Sequence, residues 1–137
     1  RAVSLGAEAG VLYPDADWAD AARELTGGRG VDLVLDSTGS TWPDSLRAVC
    51  PGGRVVVFGA TLGDQATLAV RPVYLQQLSV LGTTMGSPRD FAGLLAMLED
   101  AAWRPVVDST FGLEEAAAAH ARMESGAQFG KIVLSCR

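Results

Sequence analysis

The chain has 137 residues, 48% of them hydrophobic and 20% charged, a composition that excludes an intrinsically disordered protein and fits one domain with its own core. Eleven basic residues against 16 acidic ones leave a net charge of −5 with no run of Lys or Arg, so the electrostatic footprint of a nucleic-acid binder is missing. The acidic balance and the lack of any apolar stretch of membrane length or charged leader point to a soluble, cytoplasmic protein.

Arg1 to Ala7 reads as the last turn of a helix running into Gly6 as its C-cap, and without an initial Met it is expected to be a truncated start. Val11-Leu12-Tyr13, closed by Pro14-Asp15, suits a brief strand and a turn. Asp17 with Asp20 three residues on then opens a helix whose inward face is Trp18, Ala21, Ala22 and Leu25, and Gly27-Gly28 stop it. Val31 to Leu35 is nearly all apolar and reads as a strand buried on both faces, as in a parallel sheet.

Thr41 with Asp44 forms a second capping box and Pro43 suits a first turn, so residues 42 to 50 are predicted helical with Leu46, Val49 and Cys50 inward. Pro51-Gly52-Gly53 ends that helix, Arg54 to Phe58 is the next buried strand, and Gly59-Ala60-Thr61 follows as a loop of small residues where backbone approaches a ligand. Pro72 opens a short helix containing Val73, Tyr74 and Leu75, before the strand Leu78 to Gly82. Ser87, Pro88 and Asp90 start an amphipathic helix in which Phe91, Leu94, Leu95 and Leu98 recur at helical spacing, broken at Trp103-Arg104-Pro105. An extended stretch from Val106 to Phe111, an alanine-rich helix from Leu113 to Ser125 and a closing strand Lys131 to Ser135 complete the alternation. Strands alternating with helices define an α/β chain with a parallel sheet flanked by helices.

Ligands of such sheets bind beyond the carboxyl ends of the strands, so the loops after residues 35, 58 and 82 should share one edge, with Thr38, Gly59 and Thr84 nearer to one another than to Gly53. Those loops read equally well as ordinary tight turns. Neither Gly-x-Gly-x-x-Gly nor the phosphate-binding Gly-x-x-x-x-Gly-Lys-Ser/Thr pattern occurs, and no Ser has nucleophile-elbow spacing. Cys50 and Cys136, with His120 as the single histidine, form neither a disulfide framework nor a zinc site. His120 is read as a packing or solvated residue, and Asp36 as capping its own turn rather than as a general base.

At these same positions the sequence resembles a known group. Gly27-Gly28-Arg29-Gly30-Val31-Asp32-Leu33-Val34-Leu35-Asp36-Ser37-Thr38-Gly39, then Ser45-Leu46-Arg47, Pro51-Gly52-Gly53-Arg54-Val55-Val56 and Phe58-Gly59 are similar to the medium-chain dehydrogenase/reductase superfamily. Leu78 to Gly86, Arg104 to Asp108, Leu113 to Ala116 and Gly130 to Leu134 extend the resemblance over essentially the whole chain. Its nearest branches are the zinc-type alcohol dehydrogenases and the quinone-oxidoreductase-like enzymes.

The resemblance implies a partial Rossmann fold over residues 1–137, with the first two strands and the glycine-rich loop missing, and residues 104–137 as a C-terminal return segment. It implies a fragment of an NAD(P)-dependent oxidoreductase that moves a hydride between nicotinamide and an alcohol, carbonyl or quinone-like substrate, inactive in isolation and binding NAD or NADP weakly or not at all. By position, the nicotinamide-side contacts fall on Ser37 and Thr38, on Phe58, Gly59 and Ala60, and on Thr83, Thr84 and Met85. Lys131 matches a basic position that faces the cofactor pyrophosphate, and reads alternatively as a solvated edge charge. Zinc ligands are implied only in a missing N-terminal domain. A homo-oligomer through the strand at 78–84 is implied as well, which leaves a noncatalytic oligomerisation module, or an enoyl-reductase portion of a multidomain synthase, as alternatives. Finally, loss of the usual neighbour strand implies that Val31 to Leu35 pairs either with residues 11 to 13 or with another copy of the chain.

Overall fold

The computed structural model describes residues 1–100 and 104–136, so the expected helix break at Trp103 lies outside the described residues. The chain divides into two compact units, Arg1–Met85 and Gly86–Arg137. In the first, a parallel sheet runs β1 (Val31–Asp36), β2 (Val49–Val57), β3 (Ser79–Gly82) in that spatial order, with helix α1 (Trp18–Leu25) ahead of β1 and helices α2 (Trp42–Ala48) and α3 (Val70–Leu75) in the connections. Parallel neighbours require crossovers, and helices α2 and α3 lie in them. In the second unit α4 (Pro88–Asp100) precedes a two-stranded parallel pair, β4 (Val107–Gly112) and β5 (Lys131–Ser135), joined through α5 (Ala116–Glu124).

The core of the first unit is Leu46, Val49, Val55 and Leu78, with Val31, Val34 and Val80 packed against it. Leu46, Val49 and Cys50 are buried as the sequence predicted, but the last two belong to a strand. Val49 has ψ 151°, because the residue ahead of Pro51 is pushed out of the α region and a β-branched residue before it extends readily. The expected helix therefore ends at Ala48. Strand β2 then makes a detour: Val49 pairs with Val31 and Arg54 with Leu33, so Asp32 alone spans what takes Cys50 to Gly53 on the other side. Gly52, at φ 77°, turns the detour and donates its N–H to the Gln76 carbonyl at 2.7 Å.

Several expectations fail here for identifiable reasons. Val11, Leu12 and Tyr13 form no strand: a turn closed by the Asp15 N–H on the Leu12 carbonyl leaves all three exposed. Strand β1 consequently sits at the sheet edge, and Leu33 and Leu35 are 47% and 64% exposed rather than covered on both faces. The capping boxes are not made, since neither Asp17 nor Thr41 bonds its helix start through a side chain. Asp20 and Asp44 instead pair with Arg47. In α1 the sealed residue is Ala19, facing α2, and Leu25 is exposed. Arg23 ties the end of that helix down by donating to the carbonyls of Arg47, Val49 and Gly28 at 3.2, 3.1 and 2.7 Å. Helix α3 starts at Val70, two residues before Pro72.

The second unit is organised by one carboxylate. Asp108 on β4, whose side chain is 5% exposed, accepts Arg122 Nε at 2.6 Å and Nη2 at 3.0 Å, the Ser109 hydroxyl at 3.0 Å and the Phe129 N–H at 3.1 Å. It thereby joins β4, α5 and the turn into β5. Helix α4 has the predicted spacing, but Phe91, Leu94 and Leu95 remain exposed.

Two outcomes are expected. Val55→Ala, at a fully buried site, should lower unfolding free energy by about 2 kcal/mol, read as a shifted urea midpoint at unchanged m. Arg122 and the Phe129 N–H hold the Asp108 carboxyl well below the usual carboxylate range, so the native state binds fewer protons in acid than the unfolded chain. The stabilisation is complete above about pH 4 and is lost as pH falls through the lower folded value. Asp108→Asn should therefore lower Tm at neutral pH and flatten the acid side of a Tm-against-pH curve.

Candidate functional site

The three strands of the first unit run the same way and end level: Asp36 is in register with Val57, and Val57 with Gly82. The ladder continues one residue further, since Phe58 N–H donates to the Asp36 carbonyl and Thr83 N–H to the Val57 carbonyl, both at 3.0 Å. Ser37 and Thr38, then Phe58, Gly59 and Ala60, then Thr83, Thr84 and Met85 follow the three strand ends along this edge, while Gly53 lies in the detour at the other end of β2. The shared edge anticipated for Thr38, Gly59 and Thr84 is what the register produces. Ser37, Phe58, Ala60, Thr83, Thr84 and Met85 are exposed there. Lys131 belongs to the second unit, where it opens β5 and is exposed.

Asp36 closes β1 with its residue 3% exposed. Its Oδ1 accepts the Thr38 N–H at 2.7 Å, the Thr38 hydroxyl at 2.8 Å and the Gly39 N–H at 3.2 Å, and its Oδ2 accepts the Thr41 hydroxyl at 3.2 Å. Burial pushes this carboxyl up, and the hydrogen bonds outweigh burial and hold it below its ordinary value. The carboxylate therefore caps its own turn, as the sequence indicated, and is sealed from any substrate. Thr41, read from the sequence as a helix cap, turns its hydroxyl to this carboxylate instead; no helix-period pattern signals that.

The loops after β1 and β2 are packed on each other. Thr61 donates its N–H and hydroxyl to the Ser37 carbonyl at 3.5 and 3.2 Å, and Leu62 N–H reaches the Thr38 carbonyl at 2.9 Å. A Cβ on Gly59 would stand 2.6 Å from the Ser37 carbonyl oxygen, and one on Gly39, which has φ 77°, would collide with the Gly63 carbonyl and Ala60. These glycines thus admit the neighbouring loop rather than a ligand. Beneath them opens a cleft of about 350 Å³ lined by Gly39, Trp42, Val57, Gly59, Ala60, Gly63, Asp64 and Ala66, within the size range of small-molecule sites. The Trp42 indole N–H in its wall is buried without an acceptor. Sequence reasoning missed Trp42, Gly63 and Asp64, since their grouping depends on how the two loops fold together.

Met85 is 93% exposed at φ 42°, a left-handed conformation that side chains rarely adopt. Among the described residues no three His, Cys, Asp or Glu side chains converge to hold a metal. His120 is exposed on α5.

Comparison with known proteins gives a consistent result. A family model described as zinc-binding dehydrogenase matches residues 5–134. The chain is 29% identical to quinone oxidoreductase-like protein 2 of Rattus norvegicus, covering 99% of the chain and 42% of that protein. It is 33% identical to 2-haloacrylate reductase of a Burkholderia species, covering 95% of the chain and 42% of the relative. Among solved structures, an NAD-dependent alcohol dehydrogenase superposes over 100% of the chain and 40% of its own length, with TM-score 0.91 and 39% identity. The chain therefore spans about two-fifths of the length of these proteins.

The loop packing sets a measurable constraint. Gly59→Ala should drive the two loops apart and cost about 1–3 kcal/mol, seen as a lower urea midpoint, whereas Gly93→Ala on α4, where a Cβ meets open space, should not destabilise.

Proposed function

Since the chain belongs to the zinc-binding dehydrogenase family, we propose that its strand-end loops bind the nicotinamide side of an NAD(P) cofactor in an oxidoreductase acting on an alcohol, carbonyl or quinone-like substrate. The observation that carries this reading is the level ending of three parallel strands above an apolar cleft at one sheet edge. The nicotinamide supplies the hydride chemistry when bound. The chain's own part is to bind and orient. Thr83, Thr84 and Met85 offer backbone and hydroxyl groups for the carboxamide, Ser37 offers its hydroxyl and Thr38 a hydroxyl oxygen whose proton goes to Asp36, and the exposed Phe58 ring with the small Gly59 and Ala60 beside it forms a ledge for the nicotinamide ring. Lys131 serves the pyrophosphate in this proposal, as a cation matched to a phosphate. Residues 104–137 serve as the return segment of the cofactor domain, and the cytoplasm as its setting.

Zinc is a different matter. The described residues do not fit it, because no ligand set converges among them. No step is assigned to it.

A second reading, oligomerisation through β3, is favoured by its edge: among the described residues β3 has only β2 beside it in the sheet, and Leu81 on it is 46% exposed. It is compatible with cofactor binding, and a homodimer is proposed on it.

Amide exchange tests the first reading. Nicotinamide mononucleotide should slow exchange in residues 37–41, 58–63 and 83–85, and adenosine monophosphate should not. Equal effects of the two nucleotides, or none, would remove the nicotinamide assignment.

A further inference from the structure

We propose that Asp36 is a positioning residue for nicotinamide binding: its carboxylate sets the loop after β1, and through that loop it also sets the loop after β2, which it does not touch. The role rests on the reading of the sheet edge as the nicotinamide site.

The Asp36 carboxylate accepts donors from Thr38, Gly39 and Thr41, so the direct reach of the charge ends within residues 38–41, while its backbone carbonyl takes the Phe58 N–H as the last rung of the ladder. A carboxylate this deeply buried keeps its charge by gathering donors, and the peptide groups of Thr38 and Gly39 must point inward to be two of them. With those N–H groups turned in, the Ser37 and Thr38 carbonyls face the other way and become the acceptors for Thr61 and Leu62. The second loop is fastened at the places where the first loop presents oxygen. The clearance is small, because the Ser37 carbonyl lies where a Gly59 side chain would begin. A rotation of the 37–38 peptide would both release Thr61 and press on Gly59, moving Phe58, Gly59 and Ala60 together. The hydroxyls add a brace: Thr41 Oγ1 lies 3.3 Å from Thr38 Oγ1 and 3.4 Å from Ser45 Oγ, tying the carboxylate to helix α2. Asp36 itself contacts no bound molecule, being sealed, so its effect on a ligand passes through the loops.

The test compares the protein with its Asp36→Asn, Thr41→Val and Thr41→Ser variants by hydrogen exchange, by thermal unfolding and by fluorescence titration with NADH and NADPH. Asn keeps an oxygen for the backbone donors but loses the charge and places an amide against Thr41, so the variant is expected to fold. The expected result is faster exchange in residues 37–41 and also in 58–62, with exchange in Val31–Leu35 unchanged. The Kd for NADH or NADPH should rise about tenfold. Thr41→Val should give a smaller effect of the same kind, and Thr41→Ser should restore wild-type behaviour. Loosening of 37–41 alone, or coupled loosening with an unchanged Kd for the nucleotide, overturns the proposal. So does a parallel fall of Tm and affinity without recovery in Thr41→Ser, the pattern of a merely structural residue. No binding of either nucleotide by the unaltered protein overturns the functional reading, and the role for the cofactor with it; the exchange data then decide the coupling of the loops by themselves.

Discussion

A carboxylate withdrawn from water must be surrounded by donors, and at the end of β1 that requirement shapes everything beside it. Asp36 collects two backbone N–H groups and two hydroxyls from the residues that follow it, which forces the chain to double back immediately after the strand. The doubled-back turn leaves its carbonyls facing the loop after β2, and glycines at positions 39 and 59 let the two backbones close to contact. The edge available to a ligand is thus a pair of interlocked loops rather than two independent turns. In the second unit Asp108 plays an analogous part with a different donor set, a bidentate guanidinium beside one hydroxyl and one backbone N–H, and it joins secondary elements instead of shaping a loop.

What was legible in the sequence follows from how local the cause is. The run Val31 to Leu35 into Asp36-Ser37-Thr38-Gly39 shows both a strand and a self-capping turn, because a strand's apolar content and an Asp's reach to the N–H two residues on are short-range properties. Strands β3 to β5 and helix α5 were read for the same reason. Val49 and Cys50 were misassigned because helical spacing from Leu46 and strand burial select the same residues, and the arbiter, Pro51, acts on the backbone rather than on the pattern. Thr41 illustrates a different limit. Its sequence context is that of a helix cap, and a buried acceptor five residues earlier outcompeted the helix start for its hydroxyl. Val11 to Tyr13 has strand composition, yet an apolar triplet becomes a strand only if an edge accepts it. Within the candidate site, strand ends could be located from the sequence, whereas Trp42, Gly63 and Asp64 come together through tertiary packing alone.

Charge placement supports the same division between framework and edge. Arg23, Arg47 and Arg122 are all engaged with carbonyls or carboxylates inside their own units: Arg23 and Arg122 hold helices to strands, and Arg47 holds α2 to α1. The residues along the ligand edge, by contrast, are uncharged hydroxyls, glycines and apolar side chains, with Asp64 as the acidic member of the cleft wall. Side chains of that kind suit the neutral amide and flat ring of the proposed nicotinamide better than an ion.

The detour in β2 bears on how such a chain changes length over evolutionary time. Cys50 to Gly53 leaves the ladder after Val49, and pairing resumes at Arg54, from which point β1, β2 and β3 stay in step to their ends. An inserted or deleted residue in the Pro51-Gly52-Gly53 turn would be absorbed there, since loop closure depends only weakly on length and the register downstream is pinned by its own side-chain alternation. The ligand edge is insulated from indels at the opposite end of the same strand. The turn that follows helix α2 is accordingly where a change of length is tolerated, while Asp36, Val57 and Gly82 keep their alignment.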